Sequence, residues 1–190
     1  MIERPAPQMK TFGSVTGPQQ RRRVVLIGFM GAGKTTVGKA LAERWRWKFY
    51  DLDELIEQRE HRSIAGIFDE SGENGFRKIE NSALLELLDR SEDGCVIALG
   101  GGAFVQPHNR KALQQASVTT VLLSAPVEEL KRRCEATGDE RPLARNRIEF
   151  ERLFSSRQQA YALAQFRVET LGKRIEQIAE EIEQLLEHSI

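Results

Sequence analysis

The 190-residue chain is short of cysteine, of aromatic residues and of net charge, and it has no long apolar run. Its two cysteines, Cys95 and Cys134, stand at no metal-ligand spacing. That excludes a disulfide framework and argues against a structural zinc site. No stretch approaches the roughly 20 apolar residues of a membrane helix, which excludes an integral helical membrane protein. Lys plus Arg number 28 and Asp plus Glu 28, so the formal charge is zero. A nucleic-acid coat protein would be strongly basic, so no nucleic-acid partner is expected. The opening MIERPAPQMKTFGSVTGPQQ lacks the apolar centre of a secretory signal. A cytoplasmic protein without a membrane partner is the expectation. What the chain does have is 40% hydrophobic and 29% charged residues, enough for one globular core.

Residues 1–20 hold three of the six prolines and read as a flexible N-terminal tail, which leaves 21–190 as a single domain. Arg21, Arg22 and Arg23 read as a solvated lead-in. Strands and helices then alternate. Val24 to Ile27 is a buried strand ended by Gly28. A helix is expected from about Lys34 through Arg46, with Val37, Leu41 and Trp45 on one face. A second strand opens at Phe49 and Tyr50 and carries Asp51 and Asp53. Ser63 looks like an N-cap before Ile64, Ala65, Ile67 and Phe68. A longer helix is expected over about 75–90, its stripe formed by Phe76, Ile79, Ala83, Leu87 and Leu88. Strands follow at Cys95 to Leu99, Val118 to Leu123 and Phe166 to Val168. Helices are expected at Pro107 to Ala116, after Pro126, and around Ile175 to Leu186. This alternation predicts an α/β fold: a three-layer αβα sandwich around a five-stranded parallel sheet. Ligands in such folds sit at the carboxyl ends of strands.

Gly28-Phe29-Met30-Gly31-Ala32-Gly33-Lys34-Thr35 fits G-x-x-x-x-G-K-(S/T) between a strand and a helix. Glycines let the backbone curl around a phosphate, and the N–H groups of the helix N-terminus face the anion. Lys34 can reach the β- and γ-oxygens, and the Thr35 hydroxyl can ligate Mg²⁺. The second strand offers Asp51 and Asp53. If the strand continues, both carboxylates face one crevice, one steering a metal and the other accepting a hydroxyl proton; Asp53 reads also as a helix N-cap. Gly100-Gly101-Gly102 is either a plain turn or a place where backbone approaches a ligand. Segment 131–147 carries Lys131, Arg132, Arg133, Arg141, Arg145 and Arg147 against Glu135, Asp139 and Glu140, with Gly138 and Pro142 as breakers. It reads as a solvated basic loop or as a mobile arginine-bearing lid over about 133–147. Asp69-Glu70-Ser71-Gly72 matches a GTPase D-x-x-G by letter but follows a helical stretch, and no N-K-x-D is present.

Over about 24–170 these segments resemble the shikimate kinases, within the nucleoside monophosphate kinase-like P-loop proteins. The residues that carry the resemblance are GFMGAGKTT, the D-L-D pair, S-I-A-G-I-F followed by E-N-G-F-R-K-I-E, A-L-G-G-G, E-R-P-L and R-Q-Q-A-Y. The resemblance implies that Gly31, Ala32, Gly33, Lys34, Thr35 and Thr36 bind ATP phosphates, and that Thr35 and Asp51 serve Mg²⁺. Lys34, Asp53 and Arg141 would be the catalytic set, Arg141 closing on ATP from the lid. Asp53, Arg77, Gly100, Gly101, Gly102 and Arg157 would bind shikimate, with Arg77 and Arg157 on its carboxylate. An arginine before the lid, Arg132 or Arg133 with Arg133 as the candidate, would stack on adenine. On the residues alone, Arg77 and Arg157 read equally as surface arginines. Two departures from the family pattern stand out: Gln158, Gln159 and Ala160 where a proline is common, and Arg-Pro-Leu-Ala in the lid where Arg-Pro-Leu-Leu is common.

The expected activity is transfer of the ATP γ-phosphoryl group to the 3-hydroxyl of shikimate, on the route to chorismate and aromatic amino acids. The resemblance further implies Mg²⁺ as cofactor, ATP and shikimate as the small-molecule partners, and a monomer. The alternatives are a kinase for a gluconate-like or nucleotide acceptor, and a catalytically silent nucleotide-binding module.

Overall fold

A computed structural model describes residues 23–91, 93–136 and 147–188. The expected tail, Arg21, Arg22 and most of the expected lid, Arg141 included, lie outside the described residues.

Strand β1 (Arg23–Ile27) is apolar after its first residue, with Val24, Val25 and Ile27 β-branched, and all five positions are buried. Its neighbours are β3 (Cys95–Ala98) and β4 (Thr119–Ser124). Strand β2 (Lys48–Asp51) and β5 (Phe166–Glu169) form the edges, giving the order β2-β3-β1-β4-β5 with every pair parallel. Register is tight around the centre: Val25 faces Ile97 on one side and Thr120 on the other. Parallel strands put all their carboxyl ends at one edge, and the strand order reverses beside β1.

Helix α1 (Lys34–Trp45) carries the chain from β1 outward to β2. Helices α2 (Leu52–Glu60) and α3 (Ile64–Arg90) return it to β3. Helix α4 (Pro107–Gln115) leads to β4, and α5 (Val127–Ala136) and α6 (Arg147–Tyr161) precede β5. Right-handed crossovers place α1 on the face opposite the helices of the three later crossovers, which all move the chain the other way. The closing helix α7 (Ile175–Glu187) packs beside α1. This is the expected three-layer architecture, with Leu26, Ile97, Leu41, Leu84 and Leu113 among its fully buried residues.

Three local expectations need correction. The second strand does not continue through Asp53. It stops at Asp51, whose carboxylate accepts the Asp53 N–H at 3.1 Å and so caps α2. The turn expected to start after Ser63 and the helix expected at about 75–90 are one element, capped as expected by the Ser63 hydroxyl on Gly66 N–H and bent at Gly72 (φ 64°). Its buried stripe takes in Glu80 while Ile79 is only partly covered. Arg23 is not solvated. It is 4% exposed at the amino end of β1, and its guanidinium donates to Leu88 O at 2.5 Å, Ser91 Oγ at 3.2 Å and Ala116 O at 3.1 Å. It thereby satisfies terminal carbonyls of α3 and α4.

Candidate active site

The loop after β1 is shaped by glycine where nothing else fits. Gly28 has φ 149°, and a Cβ there would lie 2.5 Å from Leu123 O. Gly31 has φ 77°, and its Cβ would lie 2.5 Å from Leu130 O on α5. Gly33 is the N-cap of α1 and supplies no side-chain cap, so the N–H groups of that first turn face the loop's concave side. Lys34 Nζ donates to Gly28 O and Phe29 O, both at 3.1 Å, which suspends the ammonium over the loop. The Thr35 hydroxyl donates to Asp51 Oδ2 at 2.7 Å. A hydroxyl and a carboxylate are hard oxygen donors. Among the described residues no cluster of three acids, histidines or cysteines could hold a metal by itself. That donor set fits a Mg²⁺ that keeps waters and phosphate oxygens as its other ligands.

The second half of the site is built on Gly100, Gly101 and Gly102, which follow β3. Each glycine faces a different charged side chain. A Cβ on Gly100 would lie 2.5 Å from Asp53 Oδ1, on Gly101 3.1 Å from Arg157 Nη1, and on Gly102 2.4 Å from Arg77 Nη2. The turn therefore brings together side chains from α2, α3 and α6. A plain surface turn would show no such approach. Arg77 is 14% exposed and donates to Glu80 Oε2 at 2.8 Å and to Glu73 Oε1 at 3.2 Å. Its guanidinium lies 5.2 Å from the Phe76 ring centroid. Arg157 lies 5.4 Å from the centroid of Phe29, a residue of the phosphate loop. One aromatic ring thus touches both halves of the site. Two guanidinium groups and one carboxylate ringing a backbone floor can hold a small hydroxylated acid.

The family model of the shikimate kinases matches residues 30–187. The chain belongs to the shikimate kinase family. It is an ATP-dependent kinase by that membership. This kinase is 41% identical over 177 residues to the shikimate kinase of Geobacter metallireducens, covering 92% of this chain and 97% of the relative. It is 43% identical over 178 residues to that of Geobacter sulfurreducens, covering 92% and 96%. A solved structure described as shikimate kinase from Acinetobacter baumannii in complex with shikimate aligns with TM-score 0.81 at 36% identity, over 88% of this chain and 94% of that one.

In this kinase the structure brings Asp53, Arg77, Arg157 and the three glycines to one place, and Lys34, Thr35 and Asp51 to the loop beside it. The Arg133 guanidinium donates to Glu129 at 2.7 Å, Thr170 Oγ1 at 3.0 Å and Thr170 O at 3.1 Å. Arg132 is exposed and pairs with the same Glu129, whose carboxyl these two arginines pull down to about 2.

Sequence reasoning misses Glu80. It is 1% exposed, and burial pushes its carboxyl above the ordinary value against the opposing pull of Arg77. Its Oε1 is buried without a hydrogen-bond partner and lies 3.3 Å from where a Gly100 Cβ would stand. The signal that could find it is an acid three residues after Arg77 on the buried side of a helix. Phe29 is also missed, since the motif treats it only as a variable loop position.

Proposed function

We propose that this kinase transfers the γ-phosphoryl group of ATP to the 3-hydroxyl of shikimate, giving shikimate 3-phosphate and ADP. The observation that carries the reading is the convergence of Asp53, Arg77 and Arg157 on three consecutive glycines beside a phosphate-binding loop. Family membership supports the same acceptor. In this reading the shikimate carboxylate sits between Arg77 and Arg157, and its ring lies on the Gly100–Gly102 backbone. The 3-hydroxyl faces Asp53. Its oxygen bonds to the γ-phosphorus as the bond to the β–γ bridging oxygen breaks, and its proton passes to Asp53. Lys34 and the N–H groups of the loop hold the phosphates and offset the charge that develops on them. Thr35 and Asp51 would hold Mg²⁺, which when bound supplies charge neutralisation on the phosphate oxygens. Gly31, Ala32, Gly33 and Thr36 would line the ATP phosphates, and Arg141 would complete the cation set. Arg133 would stack the face of its guanidinium on adenine while its N–H edges stay on Thr170 and Glu129. The reading includes a cytoplasmic monomer. No described helix is long and apolar enough to cross a membrane.

A coupled ADP-release assay with shikimate, gluconate and nucleoside monophosphates as acceptors tests the reading. Shikimate-dependent turnover with a phosphomonoester product seen by ³¹P NMR is expected. Turnover with another acceptor and none with shikimate would overturn it.

A further inference from the structure

Tyr161 closes α6 and is 2% exposed. A buried phenol needs a partner, and this one donates to Gly101 O at 2.6 Å, across 60 residues of chain. Gly100 O is taken by Ala103 N–H at 3.0 Å and Gly102 O by Val105 N–H at 3.2 Å. Tyr161 thus fixes the middle carbonyl of a turn whose outer two are held from within. Burial pushes the phenol up to about 12, against the opposing pull of the nearby Arg157 guanidinium. Arg157 precedes Tyr161 by one helical turn, so both point to Gly101 from one face of α6. The Arg157 guanidinium rests on Phe29, and that ring is wedged edge-on against Phe150 and Phe154 at 5.0 and 5.4 Å. Arg157 is therefore seated between the Phe29 ring and the Gly101 backbone.

We propose that Tyr161 is a positioning residue for the acceptor: its hydroxyl fixes the Gly101 peptide against which the Arg157 guanidinium is seated. The turn and the guanidinium are then presented together, since Arg157 Nη1 lies 3.1 Å from where a Gly101 Cβ would stand. The inference rests on the reading that this pocket takes the acceptor carboxylate. It adds a residue that touches no substrate and acts through two that do.

Tyr161→Phe keeps the ring and removes only the hydroxyl. A neutral hydrogen bond of this kind changes an equilibrium by about five- to tenfold. The shikimate KM of Tyr161→Phe is therefore expected to rise about five- to tenfold, with the ATP KM within about twofold and the melting temperature lower by about 2–6 °C for the buried bond lost to Gly101. In an Arg157→Ala background the same substitution should add less than about twofold, because the group it positions is gone. An unaltered shikimate KM in Tyr161→Phe, with wild-type turnover intact, would overturn the inference alone. Both KM values raised equally would also overturn it, since that marks a packing role. Absence of shikimate turnover in the wild-type protein would overturn the functional reading and this inference with it.

Discussion

Replacing Gly102 by alanine isolates the placement of Arg77 from the stability of the fold. Gly102 has φ −102° and ψ −14°, a conformation open to any L-residue, so the added methyl strains no backbone. The strain falls on the guanidinium. The new Cβ would lie 2.4 Å from Arg77 Nη2 and 2.7 Å from both Cζ and Nη1. Non-bonded contact between such atoms needs about 3.5 Å, so the group must retreat by about 1 Å. A retreat of that size breaks its 2.8 Å bond to Glu80 or its reach toward the acceptor. A charge-assisted hydrogen bond contributes about 1.5–3 kcal/mol, equivalent to about a 10- to 150-fold rise in shikimate KM. Arginine is flexible, so the melting temperature should move by less than about 3 °C, which corresponds to about 1 kcal/mol at this size. Steady-state kinetics with shikimate varied at saturating ATP, then ATP varied at saturating shikimate, read the effect. A shikimate KM within about twofold of wild type would refute the claim that Arg77 binds the acceptor from its position against Gly102.

Asp53→Asn should lower kcat by about 10²–10⁴-fold while nucleotide binding, followed by ADP titration, stays intact; an undiminished kcat would remove Asp53 from the chemistry. Glu80→Gln tests the buried carboxyl through pH. Folding raises its pKa, chiefly by burial, so the stability it contributes is complete below the ordinary carboxylate value and is lost as pH rises through the raised one. Glu80→Gln lacks that titration. Urea midpoints between about pH 4 and 8 should therefore show wild type losing ground to the variant as pH rises, and the opposite trend would contradict the assignment. Arg23→Met should cost about 2–3 kcal/mol, because it strips donors from the buried carbonyls of Leu88 and Ala116. The melting temperature should fall by about 4–12 °C with kcat unchanged in the folded fraction; an unshifted melt would show that those carbonyls find other donors.

Features of this molecule that depend on local sequence are legible in the residues themselves. The run Val24 to Ile27 followed by Gly28 has one reading, a buried parallel strand, and the glycines and Lys34 that follow specify both a loop shape and a charge. Other features depend on partners far away in sequence. Asp51-Leu52-Asp53 suits a strand with two carboxylates on one side and equally a strand end with a cap, and only the position of α2 decides. The first part of α3 is obscured by Gly66, Gly72 and Gly75 among polar residues, which lower helix propensity although the segment packs. Glu80 is hidden by apolar Ile79 beside it, and its burial makes sense only with Arg77 and Gly100 opposite. Arg23 shows the same dependence. An arginine at a strand start reads as solvated until the ends of α3 and α4 are seen to converge on it. The three glycines at 100–102 stand out in the sequence, but that each makes room for a different charged group is a property of the assembled fold.

The central claim is that two arginines and one aspartate, arrayed on a glycine floor, hold a small hydroxylated acid in line with the phosphate loop. A crystal structure of the protein with ADP, Mg²⁺ and shikimate tests this most directly. The account predicts the shikimate carboxylate within hydrogen-bonding distance of both Arg77 and Arg157, with the 3-hydroxyl at Asp53. A carboxylate seated away from both arginines, or a 3-hydroxyl turned away from Asp53, would contradict it.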